Sequence, residues 1–292
     1  FSFDGVNWLS YAGSFTVSAE GATTVYYNST DKAGNAEGTR STIIRIDKTP
    51  PTTKVSLSGA QGNNGWYTSD VTVSLTAADS TSGIATTMYS FDDVNWVNYA
   101  NSGPFVVPTE GYTTVYYFST DYAGNVEATK TTTIMIDNTP PTATIDLAGT
   151  LGPNGWYTSD VMVSLTPIDA TSGVTGTAYS FDGSNWLNYA EPFIVSAEGT
   201  TIVYYYSTDN AGNTETVKTE TVKVDKTPPT TTCTLEGQQG LPGWFTSDVS
   251  VTLSAQDQTS GVAHIEYRLD DATWSTYEGS FIISYRDITT VY

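Results

Sequence analysis

The chain of 292 residues contains one cysteine, one histidine, and only 11 lysines and arginines against 31 acidic residues. Each shortage excludes a class of function. A single Cys forms no intrachain disulfide and no cysteine-rich zinc site. A single His removes most general-base chemistry that a protein of many copies would repeat. A net charge of -20 opposes binding to nucleic acid or to an anionic lipid surface. No apolar run approaches the length of a membrane span. Only 14% of residues are charged, where about 25% is usual. What is present is aromatic mass, with 20 Tyr, 10 Phe and 7 Trp, enough to build packed cores. The sequence opens at Phe1, without Met or signal peptide, and reads as a window from a longer chain.

The dominant feature is a repeat. Gly65–Asp70 reads Gly-Trp-Tyr-Thr-Ser-Asp, Gly155–Asp160 repeats it, and Gly243–Asp248 differs only at Phe245. A second series, Trp8, Trp96, Trp186 and Trp274, and the pairs Pro50-Pro51, Pro140-Pro141 and Pro228-Pro229 keep the same step of 88 or 90 residues. The Pro-Pro segments are the natural joints. They predict the back part of a unit over 1–47, complete units over 48–137 and 138–225, and the front part of another over 226–292.

Each unit reads as strands. Val71, Val73, Leu75 and Ala77 alternate with polar residues, as do Val161, Val163 and Leu165, then Val249, Val251 and Leu253. Val55 and Leu57, Ile145 and Leu147, and Cys233 and Leu235 form an earlier inward set. Tyr89 and Phe91, Phe105 and Val107, Val115 and Tyr117, and Ile134 and Ile136 complete the pattern, with Gly, Asn and Asp between runs. About seven half-buried strands per unit predict an all-β fold of tandem immunoglobulin-like antiparallel sandwiches.

The succession Trp, Asp-x-x-Ser-Gly, Tyr-x-Phe/Leu-Asp, Trp, Glu-Gly, Ser-Thr-Asp-x-Ala-Gly-Asn and Asp-x-Thr-Pro-Pro resembles the Ig-like repeats of bacterial and archaeal cell-surface proteins. It is especially similar to those of leptospiral outer-surface proteins and giant repetitive adhesins. The resemblance covers essentially the whole chain. It implies extracellular display in a stalk, adhesin shaft or fibre, and no catalyst. Ser284-Tyr285-Arg286-Asp287 departs from the pattern, standing where the preceding unit has Ser196-Ala197-Glu198-Gly199.

Carboxylates at the joints are the first candidate site. In an antiparallel sandwich the loops beginning at Asp79 and Asp121 lie at the end where Asp47 enters. This predicts convergence of Asp47, Asp79 and Asp121, then of Asp137, Asp169 and Asp209, with Asp225 and Asp257 beginning a third set. Two readings stand. The carboxylates cap backbone N–H groups of their own turns, or they gather oxygen ligands for Ca²⁺, as the joints of the similar giant adhesins do.

The aromatic candidates are Trp66, Trp96, Trp156 and Trp186, either platforms for sugars or structural closures of each unit. Asn28-Ser29-Thr30 is the one glycosylation sequon, with Asn28 expected to face outward. Cys233 aligns with Val55 and Ile145 and is expected to be a buried free thiol. His264 has no counterpart in other units, so a surface place is expected. Lysine positions shift between units, which argues against a repeated Lys–Asn isopeptide bond.

The sequence therefore reads as a non-catalytic structural array. Its expected partners are its own neighbouring repeats, lateral copies in a fibre, and surface glycans. The alternatives are a carbohydrate-binding array and the accessory region of a secreted enzyme. Exchange of strands 27–47 between copies is a further variant, set against the duplication of Leu269–Tyr292 by Phe1–Tyr26.

Overall fold

A computed structural model describes residues 1–284 and 287–292. Tyr285 and Arg286, at the centre of the divergent Ser284–Asp287 segment, lie outside the described residues. The chain is all-β. Among the described residues the helical pieces are the four-residue turn Tyr99–Ser102 and the 3-10 turn Pro153–Gly155. Two compact units are present: residues 1–140 with the loops 169–173 and 209–213, and residues 141–168, 174–208 and 214–292.

In the first unit, Thr52–Ser58, Val71–Ala78 and Phe105–Val107 form one antiparallel sheet. Val97–Asn98, Ile84–Ser90, Gly111–Asp121 and Lys130–Ile136 form the other. The alternating apolar residues of both sheets meet in a single cluster that includes Val71, Val73, Val107, Val115, Ile134 and Ile136, all buried. Each fully buried Val or Ile contributes roughly 1.5–3 kcal/mol of transfer free energy, so strand alternation is the main source of stability. The hairpin Gly21–Tyr27 and Arg40–Ile46 precedes this sandwich in the same unit.

The second unit repeats the plan. Thr142–Ala148, Val161–Ile168 and Phe193–Val195 form one sheet. The other orders Trp156–Tyr157, Lys218–Val224, Gly199–Asp209, Val174–Ser180 and Leu187–Asn188, with Trp156–Tyr157 joining in parallel. Residues 230–283 add a sheet of Thr230–Glu236, Val249–Gln256 and Phe281–Ile283, and the short pair Glu266–Tyr267 and Ser275–Thr276.

A stacked aromatic pair recurs in each repeat: Phe1 on Phe15 at 4.2 Å, Tyr89 on Phe105 at 4.0 Å, Tyr179 on Phe193 at 4.1 Å and Tyr267 on Phe281 at 4.3 Å. Such pairs add to their buried area an orientation preference that fixes one strand against another. Phe91 and Phe181 differ from expectation. They follow the strand ends at Ser90 and Ser180 and are half exposed, packing edge-on against the stacked pairs.

Cys233 is a correction. It pairs with Leu253 in the expected register, yet it is exposed. Val55 and Ile145, its counterparts, are partly buried against full cores. The strands that face Val55 in the first unit, Gly111–Asp121 and Lys130–Ile136, have no counterparts among the described residues of this repeat. The folded chain of residues 1–292 is accordingly expected to react with a thiol reagent, one equivalent per chain, without denaturant. Protection of Cys233 until urea is added is the contrary result.

Candidate metal centre

The first two joints are each assembled from two turns and the linker. Asp79 opens the first: its Oδ1 accepts from the backbone N–H groups of Thr81, Ser82 and Gly83 at 3.1, 2.9 and 2.7 Å. Gly83 stands at φ +83°, which this tight loop requires. Asp121, buried at the end of Gly111–Asp121, accepts from Asn125 N at 2.8 Å and Asn125 Nδ2 at 2.7 Å. Asp47 arrives from the linker. Its Oδ1 accepts from Thr49 N at 3.1 Å and its Oδ2 from Ser82 N at 3.0 Å. Its carbonyl accepts from Asn125 Nδ2 at 3.2 Å.

The three carboxylates thereby come together, each offering an oxygen within 4.8 Å of the others. Asp137, Asp169 and Asp209 do the same, with Asp137 and Asp209 buried. Asp137 Oδ2 accepts from Ser172 N at 3.0 Å and its carbonyl from Asn213 Nδ2 at 2.9 Å. In the third set, Asp225 Oδ2 accepts from Ser260 N at 3.0 Å, and Asp257 Oδ1 from Gly261 N at 2.7 Å. Hydrogen bonds from Ser82 and Ser260 hold the Asp47 and Asp225 carboxyls below their ordinary range, against a burial effect that raises them. The three carboxylates of each set are oxygen ligands of the kind a hard cation takes. Turn capping and cation binding are compatible, since a carboxylate oxygen carries two lone pairs.

A second carboxylate grips the linker from the other side. Glu110 Oε1 accepts from Asn138 N at 3.0 Å and Thr139 Oγ1 at 2.7 Å. Glu20 and Glu198 hold Lys48-Thr49 and Lys226-Thr227 in the same way.

The aromatic candidates fare differently. Trp66 is 6% exposed and packs edge-on to Tyr112 at 5.2 Å, so it presents no free face to a sugar. That corrects the platform reading at this residue. Trp96 and Trp186 are half buried, each edge-on to an aromatic of the adjacent strand, Phe118 at 4.7 Å and Tyr206 at 4.6 Å. Trp156 is half buried, with Lys223 Nζ 6.0 Å from its ring. Asn28 is exposed just after the strand Gly21–Tyr27, and His264 is exposed.

Sequence reasoning missed one recurring device. Glu127 and Lys130 form an ion pair with Glu127 buried. Glu127 Oε1 accepts from Thr53 N at 2.9 Å and Oε2 from Thr53 Oγ1 at 2.6 Å, while Lys130 Nζ donates to Thr53 O at 2.9 Å. The pair thus clamps both peptide groups of one strand residue. Thr53 Oγ1, Ser119 Oγ and Thr87 Oγ1 extend the network across to the second sheet. Glu215 and Lys218 repeat the clamp on Ala143. Glu37 and Arg40 hold the same spacing at the surface. A basic residue therefore does recur at this one position, as Arg40, Lys130 and Lys218, while Lys32, Lys54 and Lys223 have no lysine at the equivalent positions of the other units. The signal in the sequence is Glu-x-x-Lys/Arg at the common step.

No protein-family model matches the chain. It is 31% identical over 263 residues, 81% of its length, to a hyalin of Strongylocentrotus purpuratus. It is 32% identical over 231 residues, 73% of its length, to a hyalin of Lytechinus variegatus. The chain spans 20% and 39% of those proteins. Similar solved structures include fibronectin(III)-like modules of Clostridium thermocellum CbhA (14% identity, 59% of this chain, 95% of that chain, TM-score 0.30). The D00-D0 domain of intimin has 12% identity, 57% and 98% coverage, and a TM-score of 0.30. A central fibronectin-III array of RIM-binding protein has 11% identity, 82% and 87% coverage, and a TM-score of 0.22. The curated relatives are metazoan, so they lend no support to the bacterial or archaeal source expected from the resemblance. Over most of its length, the chain is similar to part of two metazoan hyalins.

Proposed function

We propose that the chain is a non-catalytic stretch of an extracellular structural and adhesive array, with Ca²⁺ stiffening its joints. The observation that carries this reading is the joint itself. Three linkers are each held by an Asp onto the following Ser-Gly turn and by a Glu of the preceding segment. Pro-Pro at each linker removes further backbone freedom. Similarity to the two hyalins supports the class of protein, and Trp66 burial weakens the carbohydrate-binding alternative.

The clustered Asp carboxylates repel one another, and a divalent cation would relieve that repulsion. Titration of the full chain with Ca²⁺ by calorimetry is expected to give binding near the 10⁻⁴–10⁻³ M typical of extracellular modules. At ten times that concentration each site adds about 1.4 kcal/mol and raises the melting temperature. Absence of both heat and a melting shift at millimolar Ca²⁺ would remove the metal from this reading and leave turn capping as the role of the Asp sets.

A further inference from the structure

Each complete repeat keeps one open sheet edge. Among the described residues, Thr52–Ser58 is the end strand of its sheet and pairs only with Val71–Ala78. Thr142–Ala148 pairs likewise only with Val161–Ile168. Such an edge offers a row of peptide groups to another strand. Along a strand these groups point alternately to one side and the other. The Glu127–Lys130 clamp marks which residues face outward: Thr53 N donates to Glu127 Oε1 and Thr53 O accepts from Lys130 Nζ. Alternation then turns the peptide groups of Val55 and Leu57 to the same open side. Ala143 N donates to Glu215 Oε1 at 3.1 Å and Ala143 O accepts from Lys218 Nζ at 2.8 Å. That sets Ile145 and Leu147 in the same way.

The two edges are complementary. Laid antiparallel with Val55 opposite Ile145, they bring Lys54 opposite Asp146, both exposed. Opposite charges facing each other across a strand pair attract. The pairs that exchange hydrogen bonds in this register are Thr53 with Leu147, Val55 with Ile145, and Leu57 with Ala143. The clamps occupy Thr53 and Ala143, one in each outer pair, so only the central pair is left. Pro51 and Pro141, the next positions on the open side, carry no N–H, so the edge gains no donor beyond the clamp. Lys130 and Lys218 also stand at the rim, with side chains 38% and 34% exposed. An incoming strand would have to strip water from both ammonium groups.

We propose that the Glu127–Lys130 and Glu215–Lys218 clamps guard these open edges, and that the partner they exclude is the complementary edge of a second copy of this chain. Each clamp then does two things at once: it ties one sheet of its sandwich to the other, and it keeps copies from joining strand to strand. The second matters in a chain of similar repeats, where every open edge meets others much like itself. Neither the joints nor Ca²⁺ enter into this guarding role.

The test is sedimentation of the full chain over rising concentration, at about 0.15 M salt, with circular dichroism confirming the fold. Glu127→Ala with Glu215→Ala is expected to raise the association constant at least tenfold over the unaltered chain. Val73→Ala with Val163→Ala, which destabilises both cores without touching the edges, is expected to leave it unchanged. Adding Val55→Pro and Ile145→Pro to the clamp variant removes the central N–H groups from the open side. Association is then expected to fall back to that of the unaltered chain. Lys54→Asp, setting like charges opposite each other at Asp146, is expected to weaken it several-fold. Lys130→Met with Lys218→Met frees Thr53 O and Ala143 O at less cost to stability, and is the clamp variant to use if the Glu substitutions unfold the chain. Its expected rise is several-fold. A folded clamp variant that associates no more than the unaltered chain overturns the proposal. So does association that the prolines leave intact. An equal rise in the Val73 and Val163 variant overturns it too, by tracing association to lost stability.

Discussion

Glu127→Ala is expected to destabilise the sandwich of residues 52–136 by about 3 kcal/mol, the range for removing one partner of a buried ion pair. The alanine leaves Thr53 N and Thr53 Oγ1 without their acceptor and Lys130 without its counter-charge. All of this lies beside the Thr53–Ser119–Thr87 hydroxyl chain, which is buried. Lys130→Met is expected to cost less, about 1 kcal/mol, because the Lys130 side chain is 38% exposed and its charge is partly solvated. Glu37→Ala, at the exposed counterpart, is expected to change stability by no more than about 0.5 kcal/mol. Urea unfolding measures all three. A Glu127→Ala loss as small as that of Glu37→Ala would show that the clamp is only a surface pair.

The same clamp has an acid limb. Burial raises the Glu127 carboxyl, but hydrogen bonds from Lys130 and Thr53 together with the Lys130 charge outweigh it and hold the carboxyl below its ordinary 4.5. A carboxylate depressed in the folded state contributes stability above its unfolded value. That contribution declines as pH falls through the folded one. The wild-type chain should therefore lose stability below about pH 4.5 more steeply than Glu127→Ala.

Gly62→Ala is the second large effect, and it separates joint from core. A Cβ at Gly62 would fall well inside contact distance of Ala211 O and 2.8 Å from Thr68 Cγ2. A backbone carbonyl yields poorly, so the 209–213 loop must leave Asn63 and Asn64, at a cost of about 1–3 kcal/mol. Gly152, the equivalent position in the next repeat, would place its Cβ 3.3 Å from Trp156 O and 3.4 Å from Thr158 Cγ2, which asks its neighbours to give by only a few tenths of an ångström. Hydrogen exchange is expected to quicken at residues 209–213 in Gly62→Ala, with the Val71–Ala78 amides unchanged. Gly152→Ala should leave both alone. Equal exchange in the two variants would mean that the loop does not depend on the Gly62 approach.

Much of the fold was legible along the chain. Period-two alternation marked Val71–Leu75 and Val161–Leu165 as inward, and they are buried. The convergence of Asp47, Asp79 and Asp121 followed from which ends of antiparallel strands carry the loops. The clamp was not legible in the same way. Glu127 and Lys130 are three apart and look like an exposed surface pair. What they hold, Thr53, is 74 residues from Glu127. Likewise Trp66 advertises an aromatic, but its burial depends on Tyr112 and the strand edge beside it.

Cys233 shows where the division lies. By itself, the sequence determined the repeat, the strand directions, the face each side chain takes and the Asp residues beside every linker. These follow from local geometry: a strand alternates faces whatever lies opposite, and an Asp before Ser-Gly folds its own turn. Tertiary structure alone decided which inward faces become core. Burial belongs to two surfaces at once. Val55 meets a second sheet across from it, whereas Cys233, at the same point of the same pattern, has no counterparts of Gly111–Asp121 and Lys130–Ile136 opposite it among the described residues and is exposed.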